Sequence, residues 1–271
     1  MKKKLTKIIV NNWLNVDITL DCGQAFRWKK LPDGGMHGVA CGRALTVRSE
    51  GEKIIFEGSS EEDFENIWKG YFDLGRDYEK ICAGFRSDPA LREAVEFCPG
   101  IRILRQEPWE ALCSFIISQN NNIPRIKGII ERLCETLGDD LGGGDFTFPS
   151  AEKVACAGPE ALAPLRAGFR NKYIIDAARK VADGTVDFDK INTMSDEDAA
   201  AELKKIKGVG DKVAACALLY GFGRVDCLPV DVWVKRILAE TYPDGLPGCT
   251  DGVRGITQQY LFHWRRNAEK E

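Results

Sequence analysis

The rhythm of apolar and polar positions changes near residue 60 of this 271-residue chain. Before that point, short apolar runs alternate with turn residues. Phe26-Arg27-Trp28 leads to Pro32-Asp33-Gly34-Gly35, and a second extended run continues through Val39. Ala44-Leu45-Thr46-Val47 and Ile54-Ile55-Phe56 then flank Ser49-Glu50-Gly51-Glu52, the pattern of a β-hairpin. The first sixty residues therefore predict antiparallel sheet. From Ser60 the period lengthens: Ser60 and Asp63 resemble a capping box, and Phe64, Ile67, Trp68, Tyr71 and Phe72 form one helical stripe. Helices are expected at Trp109–Ser118, at Pro124–Leu137 with Gly138 closing it, after Ala151, and at Asn171–Ala182. The glycine-rich Gly138–Ser150 reads as an exposed loop, and Ser195 with Asp198 can cap a further helix. No internal repeat or low-complexity tract interrupts the pattern. The expected architecture is α+β, with residues 1–100 forming an N-terminal antiparallel β domain with flanking helices and 101–271 a mainly helical domain.

Composition narrows the class without naming it. Hydrophobic content of 44% and charged content of 29% are ordinary for a soluble globular protein. The basic start, MKKKLTKIIVNNW, lacks the apolar run of a signal peptide, and nothing downstream is long enough to span a bilayer, so an intracellular protein is expected. Ten cysteines are scattered with no C-x-x-C pair and only two histidines beside them, which speaks against a zinc or iron–sulfur site. A net charge of −3 argues against a polyanionic partner only weakly. Nucleic-acid binding depends on a local basic face, and backbone amides hold phosphates without adding formal charge.

Candidate chemistry concentrates between Leu203 and Leu238. Gly208-Val209-Gly210 forms a hairpin between two helical patterns, Lys212 follows it directly, and Asp231 lies nineteen residues further on. A lysine in this position is most simply a solvated surface residue. The positive end of a helix nevertheless disfavours a second cation and promotes the neutral amine, which can attack a sugar carbon and form a Schiff base. Cys216, four residues on, shares the face of Lys212, either as core packing or as part of a site. Asp231 can cap the following helix, stabilise a cationic sugar beside it, or do both.

Beyond the hairpin, three stretches carry a resemblance over nearly the whole chain: Gly23-Gln24-Ala25-Phe26-Arg27-Trp28; Ile103-Leu104-Arg105-Gln106-Glu107-Pro108 with Ser118-Gln119-Asn120-Asn121-Asn122-Ile123; and Gly168-Phe169-Arg170. Together with Leu203–Leu238 they resemble the 8-oxoguanine DNA glycosylase/AP lyase family of the helix-hairpin-helix DNA glycosylase superfamily. That resemblance implies a β domain followed by a helical glycosylase core. It also implies a monomer acting on double-stranded DNA that contains 8-oxoguanine, and no dissociable cofactor, because an amine supplies the covalent chemistry. Relatives with a C-terminal iron–sulfur cluster carry four cysteines there, whereas no cysteine follows Cys249 here, so no metal is expected at that site.

The resemblance also assigns roles. Lys212 would be the nucleophile at C1′ and Asp231 would assist base departure. The carbonyl of Gly23 would accept the hydrogen that 8-oxoguanine carries on N7 and guanine lacks. Cys216, Gln258 and Phe262 would contact the extruded base, with Gln258 on its pairing edge and Phe262 on its face. Asn120, Arg125 and Arg170 would fill the vacated duplex and recognise the orphaned cytosine, Phe169 would intrude as a wedge, and Gly208 and Gly210 would hold the backbone. Trp233 departs from the family, which often has a polar phosphate-binding residue there; it would pack on a sugar or enter the core. The hairpin carbonyls of Lys204, Ile206 and Val209 resemble those that bind a monovalent cation in similar hairpins. Two rivals use fewer of these residues: a monofunctional alkylbase glycosylase needs no lysine, and a non-catalytic helix-hairpin-helix module needs neither lysine nor aspartate.

Overall fold

The structure, a computed structural model, describes residues 6–10 and 13–268. Five antiparallel strands form one sheet in the order β1-β5-β4-β3-β2: β1 Thr6–Val10, β2 Trp28–Lys30, β3 Met36–Ala40, β4 Arg43–Glu50 and β5 Lys53–Glu57. The β4–β5 hairpin closes more tightly than the sequence suggests, since Glu50 already pairs with Lys53 and only Gly51-Glu52 turn. Trp28, Met36, Leu45, Val47, Ile54 and Phe56 point to one face and are essentially inaccessible. Alternation makes this face, and a one-residue slip would expose all of it.

The expected aromatic stripe covers that face. Phe64, Trp68, Tyr71 and Phe72 are buried against the sheet, with Phe56 meeting Phe64 and Phe72 edge-on at 5.2 and 5.5 Å. Ser60 caps the segment as expected by accepting from the Asp63 amide. The helix is not continuous, however, because a π-helical turn occupies Phe64–Trp68 and widens the spacing between ring positions. Trp28 donates its indole N–H to the Tyr71 hydroxyl at 2.8 Å, so the buried indole leaves no orphaned donor.

A larger core lies among the helices. Pro108–Ser118 is buried on almost every side, Glu110 to Ile117 included, and packs on the helix Asp211–Tyr220. Ile123–Leu137 presents Ile126, Ile129, Ile130 and Leu133 to the same core, as its periodicity predicts. The helices Tyr78–Phe85 and Pro89–Phe97 also contribute to it. Arg27 of the β region forms a buried ion pair with Glu110 at 3.3 Å, joining the two layers.

Two features differ from the sequence reading, and one adds a strand to the expected sheet. Strand β1 pairs with β5 at the sheet edge, and the helix Val16–Asp21 lies within the stretch read as sheet. The expected loop after Gly138 contains two short paired strands, Asp140–Gly142 and Asp145–Phe146, turning through glycines at positive φ. This small hairpin docks on β3 through Asp145, whose carboxylate lies 3.0 Å from His37 Nε2. A local reading cannot see that partner, because it is 108 residues away.

Candidate active site

The sharp turn that carries Gly23 is held by its neighbour. Gln24 is wholly buried, and its amide nitrogen donates to the carbonyls of Thr19 at 2.9 Å and Arg102 at 2.8 Å. Its amide oxygen accepts from the Leu104 N–H, while Gln106 donates to the Gln24 carbonyl at 2.7 Å. The two sequence stretches around Gly23 and Ile103 are therefore one clasp. Gly23 itself sits at φ +89°, a conformation costly for any side chain, with Ile123, Phe262 and Arg266 around it.

The hairpin is seated on the helix Asn171–Ala182. Gly208, at φ +80°, faces the ring of Tyr173 so closely that a β-carbon would come within 2.5 Å of it. One turn on, Asp176 accepts from the Lys207 backbone N–H at 2.7 Å and from Lys180 at 2.8 Å. Burial opposes ionisation of Asp176, but these bonds outweigh it and hold the carboxyl below its usual range. Gly210 then begins the helix Asp211–Tyr220 without a side-chain cap, in extended backbone with open space beside it. Uncapped helix-start amides are free to meet a phosphate.

That helix carries Lys212 and Cys216 into a cavity of about 340 Å³. Gly23, Lys212, Cys216, Asp231, Gln258 and Phe262 all line it, although they come from four separate regions of the chain. Lys212 is half-buried, donates to Ser118 Oγ at 3.2 Å, and lies 5.2 Å from the centre of the Phe115 ring. Burial pushes the Cys216 thiol up to about 11, against the pull of the neighbouring Lys212 charge, so the sulfur stays neutral and serves as an apolar wall. Asp231 plays the expected capping role by accepting from the Val234 N–H at 2.8 Å.

The cavity opens into a broader groove that shares Ser118, Asn121, Lys212, Asp231 and Trp233 with it. Asn120 and Gly210 line only this groove. Asn120 takes the left-handed backbone conformation at φ +46°, unusual for a residue with a side chain. Trp233 is 36% exposed between cavity and groove, so it has not entered the core. Val230 and Val232 are also exposed on either side of Asp231.

Four expected residues lie outside both hollows. Phe169 is 45% exposed and edge-on to Tyr173, continuing the surface of the hairpin. Arg125 is exposed at the start of Ile123–Leu137. Gly208 supports the hairpin from behind. Arg170 is buried, and its guanidinium donates to the carbonyls of Gln119, Asn120 and Ala167. In this structure Arg170 braces the Asn120 turn and does not present its guanidinium to a partner.

Sequence reasoning missed Phe115, Ser118, Tyr220 and Gln259. Phe115 stacks on Tyr220 with ring centres 5.1 Å apart, and Tyr220 donates to Gln259 Oε1 at 2.6 Å. Three of the four belong to densely buried helices where no pattern separates a site residue from core. The exception is Gln259: two adjacent glutamines on an otherwise apolar helical stretch were a signal that at least one faces something polar.

The same arrangement is known elsewhere. Residues 7–112 match the family described as the 8-oxoguanine DNA glycosylase N-terminal domain, and residues 113–244 match the HhH-GPD superfamily of base excision DNA repair proteins. A solved structure of MBOgg1 in complex with a low-affinity DNA ligand is 40% identical, with 99% of this chain and 98% of that one superposed at a TM-score of 0.92. The 8-oxoguanine glycosylase/lyase of Clostridium acetobutylicum, solved with duplex DNA containing cytosine opposite 8-oxoG, is 36% identical, covering 98% and 97% of the two chains at a TM-score of 0.92. An N-glycosylase/DNA lyase of Saccharomyces cerevisiae is 40% identical over 161 residues, which span 53% of this chain and 42% of the yeast protein. With both halves of the chain matched by the family models and the whole fold superposed on 8-oxoguanine glycosylases, this chain belongs to the 8-oxoguanine DNA glycosylase family.

Proposed function

We propose that the protein is a bifunctional DNA glycosylase and AP lyase that excises 8-oxoguanine from duplex DNA within the cell. The observation that carries this reading is the meeting of an amine, a carboxylate and a glycine turn in one cavity, and chemistry on a base inside a cavity needs that base out of the stack. The lesion nucleotide must therefore leave the helix, at a cost of roughly a few kcal/mol. On this reading Asn120, exposed in the adjoining groove, and Phe169, exposed beside the hairpin, occupy the gap it leaves.

Within the cavity, the Lys212 nitrogen bonds to C1′ while the bond from C1′ to the base breaks; the base leaves with that electron pair and takes up the proton that the amine gives up. Positive charge develops on the sugar, and the nearby Asp231 carboxylate stabilises it. Opening of the sugar ring gives a Schiff base with Lys212. Loss of a C2′ proton then expels the 3′ phosphate by β-elimination, which nicks the strand. Lesion choice falls to Gly23, whose carbonyl accepts from N7–H of 8-oxoguanine and repels the N7 lone pair of guanine.

An alkylbase glycosylase working through water has no use for an amine in its base pocket, and Lys212 stands in this one. A duplex with one 8-oxoguanine opposite cytosine, treated with borohydride, tests the reading. Wild type should give a covalent adduct and Lys212→Gln none, while lesion binding stays within about threefold. Base release without an adduct in wild type would point to the monofunctional rival. Loss of binding in Lys212→Gln would make the lysine structural.

A further inference from the structure

Three polar side chains meet at the floor of the base cavity and share hydrogens in a way that admits one arrangement. The Tyr220 hydroxyl lies 2.6 Å from Gln259 Oε1 and 3.5 Å from Gln258 Oε1. A phenol owns a single hydrogen and cannot donate to both. The Gln259 amide has no choice of orientation, because its nitrogen donates to the backbone carbonyl of Cys22 at 3.2 Å, a group that can only accept. Its oxygen therefore faces Tyr220, and the 2.6 Å contact commits the phenolic hydrogen there. Gln258 then meets the phenolic lone pairs. Only an N–H suits them, and a half-turn of the amide exchanges its two ends without moving any neighbour. With its nitrogen on Tyr220, Gln258 turns its oxygen toward the cavity that it lines.

We propose that Tyr220 and Gln259 are positioning residues that lock the Gln258 carbonyl oxygen toward the extruded base, so that the site selects a purine that donates from N1. Guanine-type bases carry N1–H and an N2 amino group on the pairing edge, whereas adenine-type bases present an acceptor at N1 and carry their amino donor on C6 instead. This rests on the reading of the cavity as a base pocket. Tyr220 is well placed to hold the lock, being buried and stacked nearly parallel on Phe115. Burial also pushes its phenol well above the ordinary value, so it stays a donor. The relay starts at the Cys22 carbonyl, one residue before Gly23. Both edges of the purine are thus read from the same turn, N7–H by Gly23 itself and the pairing edge through Gln259, Tyr220 and Gln258.

Single-turnover excision from duplexes carrying 8-oxoguanine or 8-oxoadenine, each opposite cytosine, tests the lock in wild type, Tyr220→Phe and Gln259→Met. Wild-type release of 8-oxoguanine checks the underlying reading, and its absence would overturn that reading as a whole. Tyr220→Phe frees the amide to rotate, and the rate ratio of 8-oxoguanine to 8-oxoadenine should fall about tenfold. Gln259→Met should lower it further, because the released phenolic hydrogen then attracts the Gln258 oxygen away from the base. Taking both rates on one preparation cancels any loss of folded protein. Ratios within twofold of wild type in both variants, or equal losses on the two lesions, would overturn the lock.

Discussion

Two glycines two residues apart in the hairpin should respond in opposite ways to the same methyl group. At Gly208 an alanine must adopt φ +80°, which costs roughly 1–2 kcal/mol, and its β-carbon would fall 2.5–2.7 Å from three atoms of the Tyr173 ring. Relieving that overlap by moving a packed ring adds about 1–3 kcal/mol. Gly208→Ala should therefore lose about 2–5 kcal/mol. Gly210 has φ −103° and ψ −174°, which any residue adopts, and nothing lies within 4 Å of the new carbon. Gly210→Ala should leave stability unchanged or raise it by about 0.4–1 kcal/mol through the unfolded chain. Urea unfolding at constant m measures both. Duplex binding separates them further: on the proposed reading a phosphate meets the helix-start amides at Gly210, so Gly210→Ala should lower affinity about tenfold although the fold is intact. Adding Tyr173→Ala to Gly208→Ala should recover part of the loss, a coupling that a double-mutant cycle reads directly. Equal stability losses at the two glycines, or a loss below about 1 kcal/mol at Gly208, would refute the argument.

The hairpin's second anchor titrates. Because the Asp176 carboxyl is held below its unfolded value of 3.8, its contribution is present above that pH and is lost as pH falls toward the lower folded value. Wild type should therefore exceed Asp176→Asn in stability at neutral pH, and unfolding curves should show the gap narrowing below pH 3.8. Phe169 is so exposed that Phe169→Ala should change stability by less than about 1 kcal/mol. Single-turnover excision of 8-oxoguanine by that variant should nevertheless drop at least about tenfold, and an unchanged rate would remove the wedge.

What the sequence disclosed follows from the range of the interactions involved. Caps at Ser60, Ser195 and Asp231 join residues three apart, and each was legible and is seen. The β4–β5 hairpin was also local. Strand β1 was not, because its partner lies some 45 residues away and its side chains alternate between exposed and half-buried positions, with only Ile9 of its apolar residues packed against the core. The π-helical turn at Phe64–Trp68 escaped because it leaves the apolar stripe almost unaltered. Within the site, Lys212 and Asp231 stood out as residue types with chemistry at unusual places, and Gly23 only through the family resemblance. Phe115 and Tyr220 did not, because nothing in an apolar helix marks which ring faces a cavity. Arg170 was legible as a motif, yet its bonds to Gln119 and Asn120 exist only once the chain has folded.

Those bonds bear on how fast the protein can work. Asn120 is held in a strained backbone conformation before any DNA arrives, with Arg170 bracing its carbonyl from behind. A turn that had to order itself on contact would add an entropic toll to each of the very many undamaged base pairs tested for every lesion met. On the proposed reading of Asn120 as the residue that enters the vacated duplex, a probe already set in shape makes each failed encounter brief and so favours a fast search.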